Sequence, residues 1–299
     1  MARFLQRRIS EGHCRISATG KEIRSSGIAV EQGATMHFKR WLTGIILGVV
    51  LVVPLFVNAK WPLHIILALV SIMAMREIFD MLENAPPLAL RLASYLISAS
   101  LFVVISLGRV QDLPLVVASW TLLPMIGGLF YYGQAKESIT DSVVKTIFAP
   151  CYVALPLGML ALVYRYPKGN LWILFLFVAV FAGDTGAFYF GRFLGEHKLV
   201  PSISPGKTWE GAIGGGLCTI LAGLWFLHLT GLQEVGIRPA ILLLAISIVA
   251  QLGDLAESLL KRTHGKKDSG SVLPGHGGLL DRIDGLLFAI PVLYYLISH

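Results

Sequence analysis

The sequence predicts an all-α polytopic integral membrane protein, a helix bundle of about nine transmembrane helices. Three observations carry that expectation. Hydrophobic residues make up 55% of the 299-residue chain and charged residues only 14%, against roughly 25% charged in an average soluble domain. A soluble globule of this size would lack the polar side chains needed to wet its surface. The apolar residues gather into blocks separated by short polar links, and the basic residues crowd onto alternate links, as they do when a chain threads a bilayer. The low charge excludes a disordered chain, which needs few apolar residues and many charges.

Residues 1–35 stand apart. They are polar, carry six basic residues (Arg3, Arg7, Arg8, Arg15, Lys21 and Arg24) and three acidic ones, and have no apolar run. They are therefore not a secretory signal, and their acids fit an organelle-targeting peptide badly. Met36 opens Met36-His-Phe-Lys-Arg-Trp-Leu, a charged start leading straight into apolar sequence. Met36 is as good a start as Met1, which would leave 1–35 as a disordered tail or as sequence upstream of the true start.

From Trp41 onward the apolar blocks lie near 41–57, 61–75, 92–108, 113–132, 143–164, 171–190, 212–232, 239–253 and 283–297. A bilayer core of ~30 Å needs about 20 helical residues, with ~17 as the lower limit. Several blocks fall short, 61–75 most of all, so their helices must borrow flanking polar residues or pair as tight hairpins. The blocks divide into N-terminal transmembrane helices over 36–170 and a C-terminal transmembrane region over 171–299, with inner loops at 191–211 and 254–282.

With the N-terminus inside, 20 of the 25 Lys and Arg residues fall on inner segments. The outer links hold five: Lys60, Arg109, Arg165, Lys168 and Arg238. Without the tail the bias is still 14 to 5, so the topology is N-in, C-out in a cell membrane. The same basic loops account for the net charge of +7 without any nucleic acid. Cys14, Cys151 and Cys218 form no CxxC pair and read as reduced thiols packed among helices. Gly44/Gly48 and Gly211/Gly215 have the small-xxx-small spacing that lets helices approach closely.

The costly polar groups gather at one rim. Asp184 lies inside the 171–190 block, where a carboxylate near a helix centre costs about 2.5–3.5 kcal/mol and wants a partner or a wet cavity. Asp254 closes the 239–253 helix, and Asp281 and Asp284 open the last one. The topology puts Asp184 on the inner half of its helix and the other three at inner helix ends, so that all four converge on the cytoplasmic side. The 201–211 segment, Pro201-Ser-Ile-Ser-Pro-Gly-Lys-Thr-Trp-Glu-Gly, ends like a Walker A loop at Gly206-Lys207-Thr208. Pro201 stands where the first glycine should be and no strand is expected before it, so a P-loop is rejected. What remains is a Gly-Lys-Thr turn before a helix N-terminus, suited to a phosphate, or a lysine reaching for headgroups.

In the 254–282 segment, Asp254 and Ser258 share a helix face and Glu257 and Lys261 form an i,i+4 pair. Glycines and Pro274 then forbid regular structure. Carboxylates mixed with Lys261, Arg262, Lys266, Lys267 and His276 point to phosphate plus a hard cation. Mg²⁺ takes one or two carboxylates and completes its shell with phosphate oxygens and water, whereas an anionic-lipid patch would carry lysines without acids.

The run from Ser258 to Asp284 is similar throughout to the signature of the phosphatidate cytidylyltransferases (CDP-diacylglycerol synthases). It holds Ser258, Lys261-Arg262, Lys267-Asp268, Gly270, Leu273-Pro274, His276-Gly277-Gly278, Asp281-Arg282 and Asp284. Gly183-Asp-Thr-Gly-Ala-Phe and Ser204-Pro-Gly-Lys-Thr-Trp-Glu-Gly also resemble segments of that family, and the layout agrees over about 36–299. The resemblance implies transfer of the cytidylyl group of CTP to phosphatidate, giving CDP-diacylglycerol and pyrophosphate. It implies Mg²⁺, with room for a second cation, bound by Asp254 and Asp281, with Asp184, Asp268 and Asp284 completing or orienting the shell.

Lys207, Lys261, Arg262, Lys267 and Arg282 are candidates for the substrate phosphates, with Ser204 and Gly206 beside Lys207. His276 donates to a phosphate or caps its loop. The partners implied are CTP, phosphatidate, the bilayer and a second copy in a homodimer. Two other readings stay open: a CTP-dependent lipid-alcohol (polyprenol-type) kinase, which would release CDP, and a membrane transporter. Against the transporter, the polar groups sit at the rim and no inverted repeat is visible.

Overall fold

The computed structural model describes residues 48–49, 51–57, 61–82, 84–133, 139–270 and 277–298. The expectations about the 1–35 tail, Met36, Gly44, Cys14 and His276 lie outside the described residues. So do residues 41–47 and 50 of the first apolar block, in whose described part Val53–Phe56 forms a 3₁₀ turn. All residues discussed below belong to one compact unit, Val49–Leu273 with Gly277–His299.

Every apolar block from residue 61 onward becomes a helix. In chain order these are α1 (Trp61–Met81), α2 (Leu88–Ser106), α3 (Leu113–Tyr131), α4 (Ile139–Val163), α5 (Gly169–Leu194), α6 (Trp209–Thr230), α7 (Ile237–Thr263) and α8 (Leu280–Ser298). Helices α1 to α7 are long and apolar enough to cross a membrane. The protein is a polytopic helical membrane protein. A helix satisfies its own backbone groups, which is why apolar blocks that must cross lipid take this form.

Short blocks lengthen by enlisting polar neighbours. Helix α1 continues through Arg76, Glu77 and Asp80 to reach 21 residues, and α7 runs on to 27 residues, ten past Gly253. The inner loop expected at 254–282 therefore begins only at His264, and Asp254 sits well inside α7 rather than closing it. The cause is local. No Gly or Pro follows until Gly265, while the Glu257–Lys261 ion pair supports the extra turns. In α4, Pro150 has no N–H to give, and the ladder widens into a π turn over Pro150–Ala154.

A second departure concerns 198–208. The segment forms an antiparallel hairpin, β1 (Lys198–Val200) and β2 (Ser204–Thr208), pairing Lys198 with Thr208 and Val200 with Ser204. Gly206-Lys207-Thr208 is thus a strand rather than a turn. Thr208 ends it in extended backbone and caps α6, its Oγ1 accepting the Gly211 N–H at 3.1 Å.

Helices α5 and α6 pack with their backbones nearly touching. A Cβ on Gly215 would lie 2.9 Å from the Gly183 carbonyl oxygen, and one on Gly211 would lie 2.8 Å from that of Ala187. The Gly211/Gly215 spacing is therefore spent on packing, which is what helices without a hydrophobic drive between them require. This contact fixes Asp184 on α5 opposite the hairpin that carries Lys207.

Candidate active site

Two clusters of charge are built from α5, α7, the start of α8 and the hairpin. In the first, the Lys207 Nζ on β2 reaches Asp254 Oδ2 on α7 at 2.7 Å. Both line a pocket of about 500 Å³, together with Asp184, Arg192, Ser204 and Gly206. Asp184 interacts electrostatically with Asp254 and Lys207, and Asp284 with Asp254 and Asp184. Two carboxylates, Asp184 and Asp254, thus stand by one ammonium group, with Asp284 within electrostatic reach of both carboxylates. The Ser258 hydroxyl donates to Asp254 Oδ1 at 3.4 Å, as their shared helix face predicts.

The second cluster centres on Asp281, in the first turn of α8. Its Oδ1 accepts from Lys261 Nζ at 2.6 Å. Its Oδ2 accepts from the Ser269 N–H at 3.1 Å, the Ser269 hydroxyl at 3.0 Å and the Gly278 N–H at 2.9 Å. Lys261 also pairs with Glu257, which is fully buried. The structure therefore groups Asp184 and Asp254 with Lys207, sets Asp281 in a second network with Lys261, and leaves Asp284 within electrostatic reach of both.

Other predicted residues hold the loops. The Arg262 Nε donates to the Ile203 carbonyl at 3.2 Å and its Nη1 to the Lys266 carbonyl at 3.3 Å, tying the hairpin to the loop after α7. Lys267 and Asp268 are exposed on that loop, and Arg282 is exposed on α8.

Four residues that sequence reasoning missed complete the site. Glu77 on α1 is 3% exposed, and its Oε1 accepts the Leu279 N–H at 2.8 Å. Its Oε2 accepts the Leu280 N–H at 2.8 Å and lies 3.2 Å from the Ser269 hydroxyl, whose one proton it shares with Asp281 Oδ2. A carboxylate from the far end of the chain thus caps α8, satisfying N–H groups that a helix start leaves unpaired. Ser269 joins this cap to Asp281. Arg192 brings a second cation to the pocket. Tyr152, on the π turn of α4, lies within electrostatic reach of Asp284, Glu257 and Asp254. A π turn is often found at functional sites, and Pro150 was its sequence signal.

Among the described residues, no three acidic, His or Cys groups converge closely enough to cage a metal ion alone. A Mg²⁺ ion that keeps several waters and shares phosphate oxygens needs only one or two carboxylates, and the first cluster offers those beside a phosphate-sized opening. Its donor set is all oxygen, as a hard cation prefers.

A sequence profile of the cytidylyltransferase family matches residues 38–299. The chain is similar to the phosphatidate cytidylyltransferase of Staphylococcus epidermidis, with 34% identity over 267 residues, covering 86% of this chain and 98% of the relative. It is 36% identical to that of Haemophilus influenzae over 197 residues, 62% of this chain and 68% of the relative. It is 50% identical to that of Brucella suis over 128 residues. There the chain spans about half the length of its relative, 47%, and the matched part is 43% of this chain.

Proposed function

This chain belongs to the cytidylyltransferase family, and on that premise we propose that it transfers the cytidylyl group of CTP to phosphatidate. The products are CDP-diacylglycerol and pyrophosphate. The observation that carries this reading is the pocket of about 500 Å³ in which Lys207 stands 2.7 Å from Asp254, at the end of a membrane helix bundle.

A phosphate oxygen of phosphatidate attacks the α-phosphorus of CTP. One O–P bond forms, the bond to the bridging oxygen breaks, and pyrophosphate departs with its electron pair. The nucleophile is already ionised near neutral pH, so no strong general base is needed. Bringing two polyanions together is the obstacle, and positioning with charge stabilisation is the remedy. Lys207 and Arg192 hold phosphate oxygens, with Ser204 and the Gly206 backbone beside them. Arg282, Lys267 and Asp268 approach from the loop and the start of α8.

Asp254, with one of Asp184 and Asp284 as a second carboxylate, would hold Mg²⁺, which would supply positive charge to the reacting phosphates. Asp281 would be a further ligand, and Lys261, now 2.6 Å from its Oδ1, would supply positive charge to a substrate phosphate. The site faces the cytoplasm of a bacterial cell, because the basic loops collect at this end. The resemblance also supports a homodimer.

The test is release of pyrophosphate by the full chain in detergent, requiring CTP, phosphatidate and Mg²⁺ together. Release of CDP with a phosphorylated lipid alcohol would replace this reading with a kinase.

A further inference from the structure

Beside the polar pocket lies a second cavity of about 570 Å³, between α6 and α7. The two meet along one edge, since Leu199, Ala212 and Gln251 line both. Away from that edge the character changes abruptly. The walls are Ile213, Leu217 and Ile220 from α6 and Leu244, Ile248 and Leu252 from α7. The polar side chains within it satisfy one another: Gln251 Nε2 donates to the Ser247 hydroxyl at 3.0 Å and to the Ala212 carbonyl at 3.2 Å. Nothing in the groove asks for a polar ligand.

Its dimensions narrow the choice of occupant. It runs beside α6 from Trp209 to Ile220 and beside α7 from Leu255 to Leu244. Eleven residues at 1.5 Å rise make about 16 Å, close to one leaflet of a hydrocarbon core ~30 Å thick. At Gly216 the floor is open, since a Cβ there would meet only the Ser247 Oγ, at 3.7 Å. Ile213 and Leu217 at its lip are 63% and 52% exposed, so it opens sideways onto lipid. A ligand spanning both cavities must carry an anionic head for Lys207 and Arg192 and a single-width apolar tail.

We propose that this groove takes one acyl chain of the phosphatidate whose headgroup enters the Lys207 pocket. The inference rests on the function proposed above and adds where the lipid lies. An acyl chain leaving the bilayer for the groove gains little hydrophobic energy, because lipid is as apolar as leucine. The groove acts by shape: it fixes the direction from which the phosphate reaches the nucleotide, and orientation of reactants is a large part of such catalysis.

The experiment compares dioleoyl-phosphatidate with dihexanoyl-phosphatidate in CTP-dependent pyrophosphate release by the full chain in detergent. Gly216→Phe fills the groove. It is expected to lower kcat/KM for the long-chain lipid by about tenfold while leaving the short-chain reaction and the KM for CTP unchanged. Gly216→Ala, which adds only a Cβ at ordinary contact distance, is expected to behave like the parent. Equal losses on both lipids, or none on either, overturn the groove.

A second measurement does not depend on any variant folding. Phosphatidate carrying a photoreactive group at the chain end should label the unaltered protein near Ile220 and Leu244, and natural phosphatidate should compete. Labelling elsewhere, or none that competes, overturns it. Should the parent release no pyrophosphate from CTP and phosphatidate, the functional reading falls instead, and the labelling result still decides the groove.

Discussion

In a Glu77→Ala variant, the N–H groups of Leu279 and Leu280 and the Ser269 hydroxyl lose one acceptor at a stroke, for the carboxylate stands 2.8, 2.8 and 3.2 Å from them. The site is 3% exposed, so water does not readily take its place. Loss of a helix cap costs about 1 kcal/mol, and each buried donor left without a partner costs about 1–3 kcal/mol. Removing the desolvated carboxylate itself returns part of that sum. A net loss of about 3–5 kcal/mol follows, which at ~2–4 °C per kcal/mol for a domain of this size lowers the melting temperature by roughly 6–20 °C. Glu77→Gln keeps one acceptor oxygen but turns an amide N–H toward a backbone N–H, and should fall between the two. Thermal unfolding of the purified protein in detergent, followed by tryptophan fluorescence, reads all three. Because Ser269 Oγ also donates to Asp281, pyrophosphate release at a temperature where the variant is folded should decline as well. A Glu77→Ala protein that melts within about 2 °C of the parent would refute the reasoning, since the carboxylate could not then be the cap of α8.

Asp281→Asn should abolish cytidylyl transfer while the protein still inserts and folds, since Lys261 keeps Glu257 as a partner; near-normal turnover would remove Asp281 from the metal assignment. Lys207→Met leaves Asp254 without its 2.7 Å partner and should raise the KM for CTP by about tenfold to a hundredfold, measured with phosphatidate saturating; an unchanged KM would take Lys207 out of phosphate binding. Gly278→Ala should lower stability by about 1–3 kcal/mol, read in the same thermal assay, because its Cβ would collide with the Ser269 hydroxyl and sit 2.7 Å from Glu77 Oε2; an unshifted melting temperature would show that the loop has room to spare.

The helices were legible because crossing lipid leaves the backbone little other choice. All eight apolar blocks from residue 61 onward appear as helices in the structure. Their polar ends were not legible. A reading that stops at the first cluster of charge ends α1 before Glu77 and α7 at Asp254, whereas the backbone continues wherever no glycine or proline interrupts it. Contacts that are short in sequence could be foreseen, as with Ser258 on Asp254 and Lys261 on Glu257. Glu77 could not, because its partners lie some 200 positions away and a lone acid after a weak apolar block looks like a surface residue. Extended backbone at Gly206-Lys207-Thr208 was missed for a related reason: the pairing of Lys198 with Thr208 leaves no period-2 signal in so short a hairpin.

Charge accounting links the architecture to the chemistry. Beside Lys207 stand Asp184 and Asp254, with Asp284 within electrostatic reach of both carboxylates, and around Lys261 stand Glu257 and Asp281. Each network holds more carboxylates than ammonium groups, in the low-dielectric end of a helix bundle where unbalanced charge is costly. Hydrogen bonds from Ser258, Ser269 and Gly278 offset part of that cost, but they add no positive charge. A divalent cation arriving with a triphosphate would bring the missing charge, and the surplus that weakens the empty protein then becomes affinity for the loaded substrate. On this argument, stability and catalysis draw on the same residues in opposite senses. Neutralising Asp184 or Asp284 should therefore leave the fold intact or firmer while weakening the response of activity to Mg²⁺.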